Sequence, residues 1–104
     1  MSVLDDPLAG PTLTIGVGGW SAEAGTIFAT VPIPAPAGQL DRRLAATRLP
    51  RLLGETRMAQ LVEYAEGVAR ACTTGPLAGF AEVELNPVIL DARGAVAVDA
   101  LLIA

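Results

Sequence analysis

Hydrophobic positions recur along this chain with two different periods, and the switches between them divide it into strands and helices. Residues 12–17 alternate as a strand. Thr26–Pro32 does the same, with Ile27, Ala29 and Val31 set against Phe28 and Thr30. Between them lies a Gly-rich turn, Gly16-Val17-Gly18-Gly19-Trp20. The run Pro32-Ile33-Pro34-Ala35-Pro36-Ala37-Gly38 predicts a stiff extended connector. The pattern then changes to helical. Residues 39–48 place Leu40, Leu44 and Ala45 on one face, and Pro50 and Gly54 interrupt the pattern. Residues 56–71 carry the clearest stripe, Met58, Leu61, Val62, Ala65, Val68 and Ala69, running on to Cys72. Thr56 is placed to cap this helix, and Gly75-Pro76 to stop it. Such a stripe predicts a helix seated on a sheet.

The last quarter of the chain predicts a β-hairpin. Apolar runs at 80–90 and 95–101 flank the turn Asp91-Ala92-Arg93-Gly94. If Leu90 pairs with Ala95, Asn86 falls opposite Asp99. Alternation puts Glu82, Glu84 and Asn86 on one face, with Asp99 joining from the partner strand. Ala81, Val83, Leu85, Val96 and Val98 then point to the core. Directly opposite side chains lie about 5 Å apart at Cβ, so Asn86 and Asp99 could share an ion. Oxygen ligands of this kind suit a hard cation such as Mg²⁺. From the spacing alone, a polar face that simply meets water is the more ordinary reading, since exposed Glu and Asp on a strand are common.

The predicted order is strand, strand, helix, helix, strand, strand. That order implies an α+β domain, a four-stranded antiparallel sheet with two main helices on one face. Residues 1–11, acidic and turn-rich, read as a loose N-terminal segment, and residues 12–104 as a single domain.

Composition narrows the chemistry. With 104 residues and a net charge of −4, the chain has no basic excess to attract nucleic acid. All seven basic residues are Arg, with neither Lys nor His. That excludes a Lys phosphate grip, a Schiff base, a His base and a His-ligated metal from this chain. The single Cys72 cannot form an intrachain disulfide and lies on the helical stripe, which predicts core packing in a reducing compartment. No apolar run reaches membrane-spanning length and no signal-peptide pattern opens the chain, so a cytoplasmic location is expected.

The segment Glu82-Val83-Glu84-Leu85-Asn86-Pro87-Val88, followed by Ala97-Val98-Asp99-Ala100, resembles the end of the ATP-grasp domain in nucleotide-diphosphate-forming acyl-CoA synthetases and succinyl-CoA synthetase β-subunits. The stretch Ala9-Gly10-Pro11 with Gly16-Val17-Gly18-Gly19 resembles the Gly-Pro and Gly-x-Gly-Gly segment of the same family. The resemblance implies the C-terminal half of an ATP-grasp domain. It implies Mg²⁺ held by Asn86 and Asp99 with Glu84 beside them, and ATP or GTP met by Glu84, Glu23 and Arg57. It assigns this chain no nucleophile or base. Where relatives carry Asp and Arg on the strand after the glycines, this chain has small or apolar residues at 25–30.

Two functional readings follow. In one, the chain is the Mg²⁺–nucleotide half of an acyl-CoA ligase, completed by a chain carrying the missing ATP-grasp half or by a CoA-binding subunit. In the other, it is a non-catalytic binding or assembly subunit. Either reading leaves the isolated chain inactive and disposed to bind a partner or itself, with Trp20, the Gly18-Gly19 turn and the Pro32 to Pro36 connector as candidate surfaces.

Overall fold

The computed structural model describes residues 1–17 and 26–104, with side chains for residues 1–17 and 29–104. Among these, seven strands and two helices follow one another: β1 (Ser2–Asp6), β2 (Gly10–Val17), β3 (Thr26–Pro32), α1 (Gln39–Ala45), α2 (Leu49–Thr73), β4 (Glu82–Leu85), β5 (Val88–Asp91), β6 (Gly94–Ala97) and β7 (Ala100–Ile103). The expected α+β class holds, with both helices on one face of an antiparallel sheet. The sheet has five strands in the order β3-β2-β1-β4-β7, where the sequence predicted four, and β5-β6 forms a separate two-stranded ribbon.

The extra strand comes from the segment read as loose. Ser2–Asp6 is the central strand, paired antiparallel with both β2 and β4. Its turn is built locally. Asp6 Oδ1 accepts the N–H groups of Leu8 and Ala9 at 2.7 and 2.9 Å, and Gly10 enters β2 at φ 76°. What commits the segment to the sheet is Val3, 4% exposed in the core. A single buried apolar residue followed by Leu-Asp-Asp is too short a pattern to announce a strand.

One cluster of buried side chains joins the sheet to the helices. Val3, Leu13, Ile15, Ala29, Val31, Val83 and Leu85 come from the strands, and Leu40, Leu44, Leu61, Ala65, Val68 and Cys72 from the helices. The expected stripe of α2 is therefore its seat on the sheet, and Cys72 is a buried, free thiol. In α1, Leu40 and Leu44 sit one turn apart and both bury. Thr47 joins the two helices: its Oγ1 donates to Leu44 O at 2.6 Å and accepts the Leu49 N–H at 3.1 Å. The break expected near Gly54 is a kink inside α2, where Gly54 takes φ 79° and ψ 170°. Thr56 accordingly lies within α2 and does not cap it. The helix ends at Thr73, just before Gly75-Pro76.

The hairpin register is the expected one. Leu90 pairs with Ala95, and the same register continues through Leu85 with Ala100 to Glu82 with Ile103. Each long strand is nevertheless split in two, at Asn86-Pro87 and at Val98-Asp99. Pro87 has no N–H to continue the ladder, and its peptide bond with Asn86 is cis. Across the split the buried parity changes. Val83 and Leu85 bury in β4, but Val88 and Leu90 pack on the core in β5, with Ala97 from β6. Val96 and Val98, expected in the core, are 61% and 60% exposed, and Ala81 is exposed too. A side-chain period of two cannot reveal a parity change between two strands that keep one register.

Candidate functional site

The split in the hairpin sets two of the expected ligands, Asn86 and Asp99, opposite each other. Asn86 N–H donates to Asp99 O at 3.2 Å, and Val98 N–H donates to Pro87 O at 2.9 Å. Two consecutive backbone bonds thus hold Asn86 against Asp99 where the ladder changes parity. Both residues are exposed. Asp99 Oδ1 accepts the Ala100 N–H at 2.9 Å, which fixes the carboxylate at the start of β7.

Glu84 is two residues upstream, half-buried on the sheet face away from the helices. On that face Ser2 and Leu101 flank it from the neighbouring strands. The face reads in two rows. Pro32, Thr12, Leu4, Glu82 and Ile103 make one, and Thr30, Thr14, Ser2, Glu84 and Leu101 the other. Among the described residues no helix covers either row, because the buried side chains leave the sheet on the opposite side.

Arg57 is not gathered there. It is exposed on α2, which packs on the opposite face of the sheet from Glu84. Glu23, with Gly18, Gly19 and Trp20, lies outside the described residues. The start of the Gly-rich segment does approach. A mainly apolar cavity of about 380 Å³ is lined by Gly16 and Val17 of β2, Leu53 and Leu61 of α2, and Asn86, Pro87 and Val88. The two sequence motifs therefore converge on one cavity.

Sequence reasoning missed Met1. Its ammonium donates to Leu85 O at 3.1 Å, and the Leu85 N–H donates to Met1 O at 2.8 Å. Partial burial pushes this amine below its ordinary pKa, opposed by the nearby Glu84 carboxylate. The signal would have been the pairing of β1 with β4, a long-range contact invisible to local periodicity.

Among the described residues no three of His, Cys, Asp and Glu cluster as a metal cage. The split offers one amide oxygen and one carboxylate, both exposed, with the half-buried Glu84 carboxylate two residues upstream on β4, so every donor is oxygen. That set fits a hard cation which completes its shell with water and phosphate oxygens, and fits no soft or borderline metal.

Solved structures share this architecture. The Ca. Korarchaeum cryptofilum dinucleotide-forming acetyl-coenzyme A synthetase 1, in complex with coenzyme A, Ca-AMPCP and HgCl⁺, superposes with a TM-score of 0.73 at 23% identity, over 98% of this chain and 46% of that one. Ca. Korarchaeum cryptofilum ACD1 in complex with coenzyme A gives a TM-score of 0.74 at 23% identity, over 98% and 47%. The fold is that of one part of such a synthetase chain. It fits the resemblance to a partial ATP-grasp domain, and it spans less than half the length of the chains it matches. No family model matches the sequence, and no curated protein matches it.

Proposed function

We propose that this chain is the cation- and nucleotide-binding half of a nucleotide-diphosphate-forming acyl-CoA synthetase, completed by segments or subunits outside these 104 residues. The observation that carries the reading is the backbone-held opposition of Asn86 and Asp99, in a fold shared with a synthetase captured with calcium and a nucleotide analogue. Asn86 and Asp99 hold Mg²⁺, with Glu84 beside them. When bound, the ion neutralises phosphate charge during phosphoryl transfer. Glu84 and Glu23 are the nucleotide contacts of the completed cleft, and the nucleotide is ATP or GTP; Arg57, across the sheet from Glu84, stands apart from that cleft. With no Lys or His, the chain supplies binding and orientation, while the nucleophile and base come from elsewhere. The partner carries the missing ATP-grasp half, a CoA-binding subunit, or both, and the assembly is cytoplasmic. Among the described residues no helix is long and apolar enough to cross a membrane.

The test uses Asn86→Ala and Asp99→Asn, the second of which keeps an oxygen to accept the Ala100 N–H while removing the charge. Both weaken nucleotide-dependent Mg²⁺ binding by the completed assembly, read as line broadening when Mn²⁺ replaces Mg²⁺. Unchanged broadening in both removes the metal assignment. The purified chain alone shows neither acyl-CoA synthesis nor nucleotide hydrolysis. Turnover by the isolated chain that is lost in Asp99→Asn overturns that expectation.

The lack of Lys and His favours a second reading, a non-catalytic assembly subunit of the same fold. Under it the chain binds its partner with no nucleotide-dependent cation uptake, so the same broadening experiment separates the two.

A further inference from the structure

The two edges of the five-stranded sheet are built differently, and we infer that the β7 edge pairs with β7 of a second copy of this chain, in antiparallel register centred on Leu102. The alternation of backbone bonds settles which groups face outward at each edge. Leu85 exchanges backbone bonds with Met1, while the next residue, Asn86, donates to Asp99 O, so the odd residues of β4 face β1. The even residues Glu82 and Glu84 therefore face Ile103 and Leu101. This turns the N–H and C=O groups of Ala100 and Leu102 out of the sheet. The Ala100 N–H is already taken by Asp99 Oδ1 at 2.9 Å.

At the opposite edge, Ile33 N–H donates to Pro11 O, which turns the backbone of Thr30 and Pro32 outward. There Arg43 Nη2 donates to Thr30 O at 2.7 Å, and Pro32 has no N–H. An edge closed by an arginine and a proline does not accept another strand. Along Thr30–Pro32, head-to-tail addition of copies, β7 onto β3, is thereby obstructed, and the two-fold pairing of β7 with itself needs neither of those groups.

Chemistry selects the register. A pair centred on Leu102 exchanges both Leu102 bonds and does not need the occupied Ala100 N–H. It also sets Leu101 opposite Ile103 of the other copy, twice, on the helix-free face. Both side chains are exposed, at 52% and 42%, and β7 carries no charge and no proline. The chain's net charge of −4 does not oppose the contact closely. Glu82 and Glu84 sit one strand in from the edge, so the two copies' carboxylates stand three strand spacings apart, about 14 Å, beyond the screening length of about 8 Å at physiological salt. Four residues per copy bury less than the ~1,200 Å² of a stable complex, so the association is reversible and concentration-dependent.

Sedimentation equilibrium of the 104-residue chain tests this. The mass rises with concentration from 10.6 kDa toward twice that value, and the Leu102 amide gains hydrogen-exchange protection as it does. Leu102→Pro removes the outward N–H, and Leu101→Lys sets a charge beside the two-fold axis. Each moves the dimer midpoint at least about tenfold upward, while Leu102→Val leaves it in place. If Leu102→Pro loses its circular-dichroism spectrum, Leu101→Lys decides alone. A mass fixed at 10.6 kDa up to about 1 mM overturns the proposal. So does a dimer whose midpoint Leu101→Lys leaves unchanged.

Discussion

The root and the tip of the C-terminal hairpin share one register but live in different environments. The root, β4 with β7, belongs to the main sheet, and its Val83 and Leu85 are core residues. The tip, β5 with β6, stands off that sheet and packs on α2 through Val88, Leu90 and Ala97, leaving Ile89 and Val96 to solvent. Between them, Asn86 and Asp99 belong fully to neither half. A ladder that stays in register while its buried face changes leaves two residues with backbones fixed to each other and side chains exposed. That is the requirement of a ligand site: fixed position without burial of the donors.

The strongest test of the comparison truncates each half. Leu85→Ala in the root should cost about 2–5 kcal/mol by denaturant unfolding, the range for emptying a buried leucine site. Ile89→Ala, on the exposed face of the tip, should stay within about 0.5 kcal/mol. Equal losses would mean that root and tip form one core.

A smaller effect is expected at the tether. Gln60 Nε2 donates to Asp91 O at 3.0 Å, joining α2 to the tip, while its Oε1 is buried without a partner. Gln60→Leu removes one hydrogen bond, worth about 1 kcal/mol, together with an unsatisfied acceptor of similar cost. Global stability should change by less than about 1 kcal/mol. Hydrogen-exchange protection should fall in β5 and β6 and be retained in β4. Loss of protection in both halves would show that the tip does not open separately.

The root also leans on the turn between β1 and β2. Hydrogen bonds from the Ala9 and Leu8 N–H groups hold the Asp6 carboxyl below its usual range. A carboxylate depressed in the folded state adds stability above its unfolded pKa and loses it as pH falls through the folded one. A small decline in stability below about pH 4 is therefore expected from this residue. Asp6→Asn keeps an acceptor without a charge and should flatten that part of the curve. An unaltered curve would remove Asp6 from the account.

Least perturbing of all is the thiol. Burial pushes the Cys72 pKa up, so it should react with a disulfide reagent only when the chain unfolds. Reaction at the native rate of an exposed thiol would place Cys72 outside the core.

Local pattern determined much of this protein. The α2 stripe from Met58 to Cys72, the helix break at Gly54, the Leu90 to Ala95 register and the opposition of Asn86 to Asp99 all follow from residues a few positions apart or from one short turn. Period and turn chemistry act over such distances, so they can be read from the chain. Tertiary structure alone decided the rest. Ser2–Asp6 became the central strand because β2 and β4, distant in sequence from each other, both needed a neighbour for their backbone groups and a surface for Val3. Val96 and Val98 turned to solvent because Pro87 ended the ladder of the main sheet and α2 offered the ribbon its own seat. Arg57 lies across the sheet from Glu84 because the α2 stripe determines which side that helix occupies. Each of these outcomes depends on which surface another element leaves uncovered, and no single stretch of sequence contains that information.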